Sequence, residues 1–199
     1  MNWDNTRQSK MPLACKFSLM KILSWNTRGI NSLRKMKILH KMIKMTNPTI
    51  VFLQETKCLA NYIQEIRGKI WAICESMGIN ARGFCGGLCI LWDPTRVSLF
   101  EFQGTHNSIS TNFKVVGLPI SGLITNVYGP QKAVDKCSFI KCFINLRARF
   151  PSESWVIRNN FNLITSLEEK KGNRRCLEEE CTLFRDTIKY LGLVDITLG

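Results

Sequence analysis

Thr49-Ile-Val-Phe-Leu53 is a β-branched, apolar run that gives way at once to Gln54-Glu-Thr-Lys57. Such a run reads as a core strand that delivers polar groups at its end, and it commits the chain to a sheet inside the molecule. The residues before it say what packs alongside. Met20-Lys-Ile-Leu-Ser-Trp25 reads as a short buried strand, ended by the turn-prone Asn26-Thr-Arg-Gly29. Ser32 fits an N-cap, and Leu33, Met36, Leu39, Met42 and Ile43 recur at three- and four-residue steps until Asn47-Pro48 closes the run. That spacing predicts a helix with Lys35, Lys37, Lys41 and Lys44 outside. The opening is therefore strand, helix, strand.

Downstream the pattern changes to short strands between turns, predicted at Ile70–Cys74, Gly87–Trp92, Val97–Phe102, Ser110–Val116 and Leu123–Val127, with antiparallel pairing among them. A helix over Asp135–Arg149, a strand over Ser154–Ile157, a mixed-charge loop over Glu168–Arg175 and a helix over Cys176–Tyr190 complete the order. Strand blocks between helical blocks predict α/β (α+β) layers with sheets in the middle and helices outside. The length, 199 residues, suits one domain. Residues 1–19 are polar and aperiodic, so they are expected to form a loose extension ahead of a domain over 20–199.

Composition narrows the function. Apolar residues at 45% and charged residues at 22% exclude disordered, collagenous and coiled-coil chains. Nine cysteines are scattered without a CxxC pair, and His40 and His106 lack zinc-type spacing, so neither a disulfide framework nor a structural zinc site is expected. The longest apolar stretches fall short of the ~20 residues that cross a bilayer. Lys16 interrupts the one segment that resembles a secretory core. The expectation is a nuclear or cytoplasmic protein, neither secreted nor membrane-spanning. A formal charge of +13 draws polyanions, nucleic acid first.

Polar groups that the strands do not themselves need stand at four strand ends: Asn26, Glu55, Tyr128 and the triplet Asn160-Phe-Asn162. Each has an ordinary explanation, a turn cap for Asn26, a solvent-facing carboxylate for Glu55, a half-buried core ring for Tyr128. Gathered at one rim, a single carboxylate with amides and a phenol suits a hard cation such as Mg²⁺.

Lys21-Ile-Leu-Ser-Trp-Asn-Thr-Arg-Gly-Ile30, Ile50-Val-Phe-Leu-Gln-Glu-Thr-Lys57, Gly86-Gly-Leu-Cys-Ile-Leu-Trp92, Asn126-Val-Tyr-Gly-Pro130 and Trp155-Val-Ile-Arg-Asn-Asn-Phe-Asn-Leu-Ile164 follow one another in an order that resembles the endonuclease/exonuclease/phosphatase superfamily. Within it, the chain most resembles the apurinic-endonuclease-like domain of plant LINE-type retrotransposons. The resemblance implies a four-layer sandwich of two mixed β-sheets packed face to face, and hydrolysis of a DNA phosphodiester dependent on Mg²⁺ (or Mn²⁺). By matching position, it implies that Glu55 binds the metal, Asn26 supports the metal site, Tyr128 lies near the scissile phosphate and Asn162 helps orient nucleophile and phosphate.

Two departures qualify that activity. The superfamily's Gly-Gly-Asp-Phe-Asn is here Arg158-Asn-Asn-Phe-Asn162, so the catalytic aspartate has become Asn160. An amide accepts a hydrogen bond but takes up no proton at neutral pH, and loss of a positioned base costs about 10²–10⁴ in rate. The chain also stops before the superfamily's last core strands and Ser-Asp-His motif. A degenerate, truncated copy is expected, with missing C-terminal strands leaving a sheet edge for a partner or a second copy to cover. Alternative expectations are a non-catalytic remnant that binds the backbone of duplex DNA, a superfamily phosphatase, and a fragment that folds poorly.

Overall fold

The computed structural model describes residues 20–83, 85–151, 154–169 and 178–195. The expected extension over residues 1–19 lies outside them, as do residues 170–177, which cover most of the expected mixed-charge loop and the start of the last expected helix. The elements run β1 (Ile22–Asn26), α1 (Leu33–Thr46), β2 (Ile50–Gln54), α2 (Ala60–Ile70), β3 (Glu75–Ile79), β4 (Leu88–Trp92), β5 (Val97–Gly104), β6 (Ser108–Val115), β7 (Ser121–Tyr128), α3 (Ala133–Arg149), β8 (Trp155–Asn160) and α4 (Glu178–Tyr190).

They form two four-stranded sheets, ordered β1-β2-β4-β3 and β5-β6-β7-β8. Both are mixed. β1 pairs parallel to β2 and β7 parallel to β8, while the remaining pairs are antiparallel. The sheets pack face to face over an apolar layer that includes Ile50, Phe52, Leu88, Ile90, Ile109, Phe113 and Ile124. Fully burying a side chain of this size stabilises the fold by roughly 1.5–3 kcal/mol. On the outer face of the first sheet, Met36, Leu39 and Ile43 of α1 and Ile63, Ile66 and Ile70 of α2 cover Val51, Leu53 and Leu91. On the far side of the second sheet, Phe139, Phe143 and Leu146 of α3 cover Leu123 and Val127. The chain is thus the expected α/β sandwich.

Local chemistry sets the element ends. The Ser32 side chain accepts from the Lys35 backbone N–H, and Asn47 closes α1 in the left-handed region at φ 45°. One sequence expectation is corrected. Ile70–Cys74 is not a strand: Ile70 ends α2, and the strand starts later, at Glu75. The helix has no side-chain cap at its start, so Ile63, Ile66 and Ile70 were its only signal. Lys35 also departs from its expected place outside, because its ammonium donates to the carbonyls of Thr27 and Arg28 at 2.8 Å each. No helix among the described residues is long and apolar enough to cross a membrane.

Candidate functional site

Parallel pairing brings strand ends to one rim. Asn26 stands opposite Gln54 at the ends of β1 and β2, and Tyr128 opposite Asn160 at the ends of β7 and β8. The ladder between β1 and β2 continues into their loops, where Thr27 N–H donates to Gln54 O (2.9 Å), Gly29 N–H to Glu55 O (2.6 Å) and Ile30 N–H to Thr56 O (3.0 Å). Behind these loops, Thr56 and Lys57 N–H donate to the carbonyls of Gly87 and Gly86. A Cβ on Gly87 would lie 2.3 Å from Thr56 Oγ1, and the residue has φ +85°, so only glycine fits there.

Glu55 is the focus. Its Oε1 accepts from Asn26 Nδ2 at 2.8 Å and from the Tyr128 hydroxyl at 2.6 Å, so the two sheets meet on one oxygen. No hydrogen bond among the described residues falls on Oε2. Burial alone would raise the Glu55 carboxyl, but the bonds from Tyr128 and Asn26 and the nearby Lys57 and Arg28 cations outweigh it and hold the group below its ordinary 4.5. The Tyr128 phenol moves the other way, pushed above its ordinary 10.0 by burial and by its bond to the charged Glu55. Gln131 Nε2 approaches the same hydroxyl at 3.4 Å.

Asn160 and Asn162 form a second group on the same rim. Asn160 Oδ1 accepts from Asn162 N–H at 3.0 Å, and Asn162 Nδ2 donates to Gly129 O at 2.5 Å. Gly129 N–H donates in turn to Asn160 O at 2.8 Å. Asn160 is exposed, and strand alternation puts its side chain on the Val156 side of β8, which faces the other sheet. The structure therefore joins Asn26, Glu55 and Tyr128 directly, and sets Asn160 and Asn162 beside them through Gly129. His40 is half-buried with its ring against Ile70 O, whereas His106 is exposed.

A divalent cation can be tested against this donor set. Among the described residues no cluster of three or more His, Cys, Asp or Glu could cage a metal. An ionised carboxylate with one unshared oxygen beside an amide oxygen suits a hard ion that keeps most of its waters, which is how Mg²⁺ binds. The residues fit such an ion.

Sequence reasoning missed Gln54 and Asn126 as site residues. Both are fully buried; Gln54 Nε2 donates to Asn126 Oδ1 at 2.8 Å, and Asn126 Nδ2 donates to Leu53 O (3.2 Å) and Cys89 O (3.0 Å). The available signal was an amide at a position where an apolar strand needed none. Thr27 was missed too; its hydroxyl lies 3.0 Å from the carbonyls of Gln54 and of Glu55.

No protein-family model and no curated protein matches the chain. Solved structures do. The AP endonuclease LMAP from Leishmania major is 13% identical at a TM-score of 0.64, over 86% of this chain and 66% of that one. An endonuclease/exonuclease/phosphatase family protein from Bacteroides thetaiotaomicron is 12% identical at a TM-score of 0.58, over 73% and 64%. D. rerio TDP2 complexed with single strand DNA product is 16% identical at a TM-score of 0.55, over 88% and 66%. At such identities the likeness is one of fold, that of the AP endonucleases and their endonuclease/exonuclease/phosphatase relatives. The chain spans about two thirds of the length of these neighbours.

Proposed function

We propose that this chain carries a phosphodiester site for DNA, of the divalent-metal type, in which Asn160 replaces the base and leaves hydrolysis impaired. The observation that supports this best is the Glu55 carboxylate, gripped on one oxygen from both sheets and open on the other. Glu55 and Asn26 would hold Mg²⁺ or Mn²⁺. When bound, the ion supplies Lewis-acid stabilisation of charge developing on the phosphoryl oxygens. Tyr128 stays protonated through the neutral range with its one proton on Glu55 Oε1, so it positions the carboxylate, while Arg28 and Lys57 supply the positive charge that a phosphate oxygen would meet. Asn160 can orient a water through hydrogen bonding but cannot deprotonate it. The order of motifs from Lys21 to Ile164 favours a LINE-type retrotransposon ancestry.

DNA binding without cutting is the companion reading. It is favoured by α1, which carries no acidic residue and exposes Arg34, Lys37, Lys41 and Lys44. On α3, Arg147 lies over the Trp155 ring at 6.0 Å and Arg149 over Phe150 at 5.7 Å, so part of their cationic surface is committed to aromatic faces.

The test is nicking of supercoiled plasmid in Mg²⁺. The wild-type chain is expected to nick little or not at all, Asn160→Asp about 10²-fold or more faster, and Glu55→Gln with Asn160→Asp not at all. Robust nicking by the wild type, or equal rates with and without Asn160→Asp, would refute the role given to position 160.

A further inference from the structure

The layer between the sheets is almost wholly apolar, and apolar packing is non-directional: it holds two sheets together without fixing how far one slides over the other. Against that background stands a buried amide pair. Gln54 is the last residue of β2 and Asn126 lies on β7, in the opposite sheet. Asn126 Nδ2 faces the carbonyls of Leu53 on β2 and Cys89 on β4, which orients its amide and turns Oδ1 to meet Gln54 Nε2. One side chain of the second sheet thereby grips two strands of the first at fixed positions.

The pair is poorly explained by stability. Buried Gln54 Oε1 has no hydrogen-bond partner among the described residues, so this amide carries a desolvation cost that an apolar pair of the same shape would not. What the pair adds is direction. Its two members are placed where direction matters: Glu55 follows Gln54 in the chain, and Tyr128 follows Asn126 by two residues, on the same face of β7. The bond from the Tyr128 hydroxyl to Glu55 Oε1 spans the two sheets just beyond the amides.

We infer that Gln54 and Asn126 are positioning residues, an inter-sheet amide lock that sets the register at which Tyr128 meets Glu55. The role builds on the site reading above: by holding the Tyr128 bond on Oε1, the lock leaves Oε2 unshared, where it would meet a cation. Both residues are fully buried and act through their neighbours.

The experiment compares the wild type with Asn126→Leu, which removes the lock while keeping the branching of the side chain at Cγ. Thr125→Val is the control: it removes a buried hydroxyl from the adjacent position of β7, where Thr125 Oγ1 accepts from Trp155 Nε1 away from the rim. Two readouts are taken, Mn²⁺ affinity by calorimetry and the NMR signal of the Tyr128 hydroxyl proton, assigned by its disappearance in Tyr128→Phe. Asn126→Leu is expected to lose the hydroxyl signal and to weaken Mn²⁺ binding by about 10–100-fold, as changes behind a metal ligand do. Thr125→Val is expected to change neither. If Asn126→Leu melts earlier but keeps both the signal and the affinity, the pair is merely structural and the inference is overturned. If the wild type binds no Mn²⁺ while Asn126→Leu still loses the signal, the metal reading fails and the lock stands. Should Asn126→Leu not fold, Gln54→Met, which leaves both Asn126 donor bonds in place, is read by the same criteria.

Discussion

Gly129→Ala tests how closely the two halves of the rim are fitted. The added Cβ would lie 1.7 Å from Phe161 O, 2.4 Å from its carbonyl carbon and 3.0 Å from its Cα. All three are backbone atoms, so no side-chain rotation relieves the clash. Restoring ordinary contact requires β7 and the Phe161 turn to part by on the order of 1.5 Å. That movement breaks the bond from Gly129 N–H to Asn160 O and the bond from Asn162 Nδ2 to Gly129 O. Two hydrogen bonds at about 1 kcal/mol each, with about 1–3 kcal/mol for overpacking, give a loss of about 3–5 kcal/mol. For a domain of this size each kcal/mol lowers the melting temperature by about 2–4 °C, so a drop of about 6–20 °C is expected by circular dichroism. The matched control is Gly68→Ala in α2, where a Cβ meets nothing within 4 Å. There the same change should stabilise by about 0.5–1 kcal/mol, through the lower chain entropy of alanine. Opposite signs for one chemical change are the signature. If Gly129→Ala melts within about 2 °C of the wild type, the close approach of β7 and Phe161 is wrong.

The ion pair between α3 and α4 gives a second stability test. Lys136 Nζ and Glu180 Oε2 are 2.6 Å apart with side chains only 9% and 8% exposed, so Glu180→Ala leaves the ammonium buried without this partner and should cost about 3–5 kcal/mol in urea unfolding. The double change Lys136→Met with Glu180→Leu should return most of that loss. The site gives a pH test. Because Glu55 sits below its ordinary 4.5 in the folded chain, its contribution to stability is complete above that pH and disappears as pH falls through the lowered folded value. The stability difference between wild type and Glu55→Gln should therefore be largest near neutrality and shrink in acid; a gap that widened as pH fell would contradict the bonding of Glu55.

What could be read from sequence follows from how local each signal is. β2 and α1 were legible because a β-branched run and a capped, three-and-four-spaced helix announce themselves within their own residues. α2 was not, since its apolar residues merge at Ile70 with Trp71 and Ile73 into what looks like a strand, and Leu59 gives no cap. β8 runs to Asn160 rather than stopping at Ile157 because its partner β7 continues to Tyr128, and pairing carries polar residues that have no strand propensity of their own. The same distinction separates the site residues. Asn26, Glu55 and Tyr128 could be singled out as polar groups at strand ends. Gln54 and Asn126 showed only as amides in apolar strands; that they pair depends on two sheets meeting, and no spacing along one strand encodes that.

Backbone conformation sets this rim apart from the other described loops. Six non-glycine residues among those described have positive φ: Arg28, Asn47, Glu55, Lys57, Glu101 and Asn162. Asn47 is accounted for as the cap of α1, and Glu101 sits where the register of β5 shifts between Phe100 and Gln103. The other four, Arg28, Glu55, Lys57 and Asn162, lie in the loops that follow β1, β2 and β8. A left-handed residue other than glycine is disfavoured by on the order of 1–3 kcal/mol and persists only where its surroundings over-determine it. At Glu55 those surroundings can be named. Gly29 N–H and the Thr27 hydroxyl reach its carbonyl, while Asn26 and Tyr128 hold its carboxylate. A loop relaxed to an ordinary turn would lose these bonds, so the left-handed conformation is sustained by contacts at both ends of the residue, and they leave the second carboxylate oxygen outside the set.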